Sequence, residues 1–359
     1  MPRYTPPLRD IEFVLHEVFG LSDELKAMPP YAELDAATLR AVLEEGGKFA
    51  AEVIFPLNMS GDTEGCTLDA TTHAVRTPTG FKEAYAQFVA GGWPALSCDP
   101  AYGGQGLPMV INQCFYEMLN AANQAWTMYP GLSHGAYECL HTHGTPEQKQ
   151  LYLPRLTSGH WTATMCLTEP HCGTDLGLLK TRAEPQPDGS YKLTGTKIFI
   201  SAGEHDLAEN IVHLVLARLP DAPAGSKGIS LFVVPKFLPQ ADGSLGARNA
   251  IYCGGLEHKM GIRASATCQM VLDGATGSPG GRAAQGAGCD VRDDERRAPG
   301  RGRAVAGPDR GGLPERAGLR QGAPADAQPF GPQGKRPARR PHHRAPRRAP
   351  HAAHGQSLG

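Results

Sequence analysis

Two short stretches of this 359-residue chain carry residue types that can do chemistry. The first, Met165-Cys166-Leu167-Thr168-Glu169-Pro170-His171-Cys172-Gly173-Thr174-Asp175, offers hydroxyls at Thr168 and Thr174, and Gly173 lets a ligand approach the backbone closely. It lies where helical character gives way to strand character, and clefts between domains are favoured ligand sites. A polar crossover loop accounts for the same residues. About thirty residues later, Lys197-Ile198-Phe199-Ile200-Ser201-Ala202-Gly203 sets an aromatic two positions from a hydroxyl. On a strand end that spacing turns Phe199 and Ser201 to one face, which suits a planar heterocycle, with core packing as the alternative.

Other patterns are weaker. Gly131-Leu132-Ser133-His134-Gly135 has the letters of a hydrolase nucleophile elbow, but the elbow needs a strand before its serine. Here a helical pattern precedes it, and with Pro130 at the junction the segment reads as a turn connecting helices. Gly103-Gly104-Gln105-Gly106 lacks the spacing of a phosphate loop and reads as a tight surface turn. His141-Thr142-His143 and His342-His343 lack the spacing and carboxylate of a zinc site. The nine cysteines contain no C-x-x-C and read as small core hydrophobes in a reducing compartment.

The elements that must hold these residues fall into two kinds. Up to about residue 155, apolar residues recur at spacings of three and four, most clearly from Met109 to Trp126 and also over Leu34 to Phe55 and Phe81 to Val89. Thr145-Pro146-Glu147-Gln148 is a helix start, and Pro154 marks the expected end of that helix. After about Trp161 the pattern predicts strands at Tyr191 to Ile200, Ile211 to Ala217, Gly228 to Val234 and Thr267 to Leu272. Short strands without long intervening helices predict an antiparallel barrel or sandwich. The fold class expected is therefore multidomain α+β, a helical domain followed by a β domain.

These motifs, taken in order, resemble the acyl-CoA dehydrogenase family over roughly residues 30–276. The resemblance rests on Trp93 to Gly106, Gly144-Thr145-Pro146-Glu147-Gln148-Lys149, the Leu167-Thr168-Glu169-Pro170…Gly173-Thr174-Asp175 motif, Gly195-Thr196-Lys197…Ser201-Ala202-Gly203, and Lys259-Met260-Gly261-Ile262-Arg263-Ala264-Ser265. The N-terminal extension, His171-Cys172 and Ser201 to Asp206 are most similar to the 3-methylmercaptopropionyl-CoA type within that family. The resemblance implies an N-terminal extension (1–30), a helical domain (31–160), a middle β domain (161–276) and a C-terminal four-helix domain, with FAD between the last two. By position, Met165, Leu167, Thr168, Gly173 and Thr174 would contact the flavin or the adjoining acyl-CoA, Phe199 would lie against the flavin ring, and Ser201 would stand near its reactive nitrogen. Thr174 and Arg263 would serve the substrate side. The implied reaction is α,β-dehydrogenation of a short or thioether acyl-CoA, with an electron-transfer flavoprotein as the redox partner and a homo-oligomer as the full-length assembly.

The family's base is a glutamate in the C-terminal helical domain, and residues 277–359 do not resemble that domain. Residues 1–276 carry 19 Lys+Arg against 29 Asp+Glu, whereas 277–359 carry 16 against 7. In that tail Arg, Ala, Gly and Pro fill 57 positions and Val, Leu and Phe only 6, too little apolar surface to offset chain entropy, so a disordered tail is expected. Those four residue types share GC-rich codons, and Asp290 to Glu295 can be encoded so that a one-base offset yields Met-Phe-Val-Met-Met-Asn. Pro341 to Ala352 gives an apolar, helix-compatible run at the same offset. A frameshift near Thr276 to Pro279 is the expectation, leaving no catalytic residue assigned in the chain as written. Two rival readings stand beside it: a non-catalytic remnant exposing apolar surface meant for the lost helices, and a basic arm contacting nucleic acid, short of aromatics for base stacking apart from Phe330. No apolar run approaches the ~18 residues of a membrane span, and Met1 to Asp10 lacks a secretory core, so a cytoplasmic protein is expected.

Overall fold

The computed structural model describes residues 3–240 and 242–281. The expected disordered tail lies outside the described residues from 282 onward.

The chain opens with α1 (Leu8–Glu12), a π-helical turn at Phe13–Val18 and α2 (Leu21–Lys26), whose Ile11, Leu15 and Leu25 are buried in the main core. The 34–55 periodicity becomes α3 (Ala36–Phe49), capped by Asp35, running into a second π-helical turn at Ala50–Ile54. Then come α4 (Leu57–Glu64), a small hairpin of β1 (Thr67–Leu68) and β2 (Val75–Arg76), and α5 (Phe81–Ala90).

The long α6 (Met109–His143) is where the structure departs from the sequence reading. Residues 131–135 do not form a turn between helices; they continue α6 straight through Pro130. The break occurs earlier, at Asn123 (φ −159°, ψ 88°), whose side chain accepts from Trp126 N at 3.1 Å and donates to Ile54 O at 3.3 Å. Asn123 thus caps the second half of the helix from inside, a role that short amide side chains perform well. Pro154 likewise does not end its helix: α7 (Pro146–Thr157) continues to Thr157 because Leu156 and Thr157 beyond it are buried, and packing outweighs one lost backbone bond. Its start is the expected capping box of Thr145 and Gln148.

The helical core is aromatic. Trp93 and Phe115 stack at 4.5 Å between centroids, and Phe88 meets Trp126 edge-on at 5.4 Å. Phe88, Phe115 and Trp126 are fully buried, each worth roughly 1.5–3 kcal/mol, with Trp93 packed partly buried against them.

The β region comprises β3 (Trp161–Cys166), β4 (Arg182–Pro185), β5 (Tyr191–Ser201), β6 (Asn210–Arg218), β7 (Ile229–Pro235), β8 (Phe237–Pro239), β9 (Leu245–Arg248), β10 (Ile251–Leu256) and β11 (Thr267–Pro279). The main sheet runs β10-β11-β5-β4-β6-β3, with β7 pairing both β11 and β6 and thereby joining distant strands of that order. Pairing is mainly antiparallel, but β3 runs parallel to β6 from Trp161↔Asn210 to Cys166↔Val215. The last ladder reaches Pro279↔Phe232.

Side chains join the two halves. The Tyr129 hydroxyl donates to Ala264 O at 2.9 Å and accepts from Ala266 N at 2.8 Å, Ser133 Oγ accepts from Ala163 N at 3.0 Å, and Gln148 donates to Pro279 O at 2.6 Å. The serine of the apparent nucleophile elbow is therefore a buried tie between α6 and β3.

Candidate functional site

The site is built where β3 ends and the chain turns back toward β5. Glu169 and Cys172 close a two-residue turn by reciprocal backbone bonds, Glu169 N to Cys172 O at 2.8 Å and Cys172 N to Glu169 O at 3.1 Å. The turn brings Gly173 back against Thr168: a Cβ on Gly173 would sit 3.1 Å from Thr168 Cγ2. Thr168 O in turn accepts from Ile198 N at 2.9 Å, which fixes the loop beside the end of β5.

At that end the ladder slips. Lys197 pairs with Met270 and Ile200 with Cys268, so Ile198 and Phe199 share one partner position. Phe199 takes φ 59°, uncommon for an aromatic residue, and the residue is 59% exposed. The regular strand geometry that would put Phe199 and Ser201 on one face is thus replaced by a bulge that turns the ring outward. Ser201, half-buried, is anchored through its carbonyl, which accepts from Thr164 Oγ1 at 2.6 Å.

Met165, Leu167, Thr168, Gly173, Phe199 and Ser201 therefore gather where β3 and β5 end. Thr174 follows Gly173 and is exposed. Arg263 is engaged elsewhere: its backbone N donates to Asp62 Oδ1 at 2.8 Å, and its guanidinium lies 3.7 Å from Asp62 Oδ2, on α4.

What holds the loop is a pair whose letters lay in the motifs without a role. Lys197 and Glu169, 0% and 3% exposed, form an ion pair at 2.8 Å. Glu169 Oε1 also accepts from Thr181 Oγ1 at 2.6 Å and Thr181 N at 3.0 Å, Oε2 accepts from Lys180 N at 2.7 Å, and Lys197 donates additionally to Leu167 O at 3.0 Å. Burial acts to raise the Glu169 carboxyl, but Lys197 and Thr181 outweigh it and hold the group below the usual carboxylate range. Gly195 lets Thr181 come this near, since a Cβ there would collide with Thr181. One signal was available in the sequence: Leu193 and Lys197 share strand phase, which turns the lysine inward with the core leucine.

A second buried carboxylate, Glu204, accepts from Lys236 and from Arg248 at 3.1 Å, just beyond the Ser201 end of β5. Six of the eight described cysteines are buried.

The exposed Phe199 therefore sits one residue from the backbone bond that ties β5 to Thr168.

Comparison with known proteins shows the family. The model of the acyl-CoA dehydrogenase N-terminal domain matches residues 38–160, and that of the middle domain matches residues 164–275. The 3-methylmercaptopropionyl-CoA dehydrogenase of Ruegeria pomeroyi is 47% identical over 274 residues, covering 76% of this chain and 46% of that protein. A broad-specificity linear acyl-CoA dehydrogenase of Mycobacterium tuberculosis is 38% identical over 274 residues, covering 76% of this chain and 44% of that protein. The chain spans less than half the length of these relatives. Among solved structures, an acyl-CoA dehydrogenase complexed with FAD from Bacillus anthracis shares the fold at TM-score 0.54 and 23% identity, over 69% of this chain and 37% of that one. Matched across both its helical and its β halves, this chain belongs to the acyl-CoA dehydrogenase family.

Proposed function

We propose that the described residues are the helical and middle domains (31–160 and 161–276, after an extension at 1–30) of an FAD-dependent enzyme that oxidises the α,β bond of a short or thioether acyl-CoA. The observation that carries this reading is the outward-turned Phe199, held on its bulge beside Thr168 and Gly173. When bound, FAD would accept the β-hydride; the protein's part is position and electrostatics. Phe199 would lie against the flavin ring. Met165 and Leu167 would supply apolar surface, Thr168, Thr174 and Ser201 would offer hydroxyl hydrogen bonds, and Gly173 would allow close backbone approach. Lys197 and Glu169 would keep that loop from shifting. Thr174 and Arg263 would face the acyl-CoA, and Arg263 would have to exchange Asp62 for it. An electron-transfer flavoprotein would reoxidise the flavin, and the setting would be cytoplasmic; among the described residues no helix is long and apolar enough to cross a membrane.

The finer part of the proposal concerns residues 277–359, whose composition supports a frame slip near Thr276 to Pro279, at the end of the last ladder. The chain as written then lacks the glutamate base and one wall of the flavin site. Resequencing the gene across Leu272 to Arg292 and purifying both forms tests this. The written chain is expected to retain little yellow flavin and show little acyl-CoA:dye reductase activity, and a frame-restored chain to show both. A flavin-bound, fully active product from the written chain would overturn the slip; a frame-restored chain inactive on every acyl-CoA would overturn the activity.

A further inference from the structure

The turn that closes the loop brings together three chemically different donors within four consecutive residues. Glu169, His171 and Cys172 each present one ligand atom, and these atoms all lie within 4.8 Å of one another. His171 Nε2 is 3.6 Å from Glu169 Oε2, and the same nitrogen is 3.0 Å from the Leu178 carbonyl oxygen. Around a tetrahedral zinc ion, with bonds of about 2.0–2.3 Å, neighbouring donors stand roughly 3.3–3.8 Å apart. The His171–Glu169 pair stands at that spacing and the Cys172 thiol within 4.8 Å of both, so rotation of the Cys172 and exposed His171 side chains closes the remainder.

We propose that the Glu169–Cys172 turn is a divalent-metal site of zinc-type chemistry, with Glu169 Oε2, His171 Nε2 and Cys172 Sγ as ligands and the Leu178 carbonyl beside them. The donor set mixes thiolate, imidazole and carboxylate, which suits zinc or cobalt over magnesium or calcium. Glu169 can serve without leaving its place, because Oε1 takes Lys197 and Thr181 while Oε2, which faces His171, accepts among the described residues the Lys180 N–H. Binding forms metal–sulfur, metal–nitrogen and metal–oxygen bonds; it breaks the Cys172 S–H bond, whose proton leaves to water, and His171 gives up its bond to Leu178 O by taking the Nδ1–H tautomer, with no change of oxidation state. One carboxylate then answers both Lys197 and the ion. The affinity is accordingly weaker than that of an all-Cys/His structural site, and the ion acts on a loop that is already formed. The site follows from the turn alone and does not rest on the flavin reading.

The test uses the full chain carrying Cys289→Ser and His342, His343, His351 and His354 each replaced by Ala, so that no cysteine or histidine of the tail contributes. The metal-free protein is titrated with Co2+ and its absorption spectrum followed. One equivalent is expected to produce a thiolate-to-cobalt band and tetrahedral visible bands, both bleached by Zn2+. Cys172→Ser should abolish the thiolate band, and His171→Ala, an exposed position that leaves folding intact, should weaken binding at least about tenfold. Absence of the bands in the parent protein, a thiolate band surviving Cys172→Ser, or an unchanged affinity in His171→Ala would each overturn the site.

Discussion

The helical half keeps its formal charges at the surface, whereas the β half sinks two carboxylates and a lysine into its interior. Among the described residues up to 160, the buried polar side chains are hydroxyls and amides such as Asn112, Asn123, Thr127 and Ser133. Beyond 160 they include Glu169, Lys197 and Glu204. The difference follows from what each region must hold. A helix satisfies its own backbone, so apolar packing suffices to place it. The loop after β3 leaves the ladder, and its free groups end on the ion pair: Leu167 O on Lys197, and the N–H groups of Lys180 and Thr181 on Glu169. Buried ion pairs stabilise poorly but are directional. Here the charge serves position.

The sharpest way to break the comparison is to remove one member of the pair. Lys197→Met leaves a buried, uncompensated carboxylate and should cost about 3–5 kcal/mol in denaturant unfolding, whereas Lys197→Met with Glu169→Leu should recover most of that loss. If the double variant is as unstable as the single one, the pair is not a self-contained charge unit. In the helical half, Leu119→Ala, at a fully buried position, should cost about 3 kcal/mol through lost burial and a cavity, with no polar partner able to rescue it.

The smallest effect concerns His134, which the helical half buries in neutral form. Asn112 Nδ2 lies 3.3 Å from its Nε2, and burial pushes its pKa down to about 4. An unfolded histidine titrates near about 6.5, so between those values the unfolded chain holds the extra proton. Stability therefore rises with pH in that window and is lost as pH falls from about 6.5 toward about 4, by up to about 1.4 kcal/mol per pH unit. His134→Phe should flatten that part of the unfolding free energy against pH. Superimposable slopes would show that His134 is not held neutral.

The helical positions, the capping box at Thr145 and the change to strands near Trp161 were legible in the sequence, because each depends on periodicity or on neighbours within a few residues. Pro130 and Pro154 misled for the converse reason. Local preference places breaks at proline, but burial of Ala136, Tyr137 and Leu140 beyond Pro130 and of Leu156 beyond Pro154 carries both helices past it, and the actual break at Asn123 depends on Ile54, distant in sequence. The outward turn of Phe199 needs the unequal register of β11 against β5, and the hold on Thr168 needs Lys197 to meet Glu169 across 28 residues. Sequence by itself determined which residues carry hydroxyl, ring and charge, and in what order. Only the tertiary structure decided which of them meet, because bulge register and buried pairing are settled by long-range contacts that no local propensity contains.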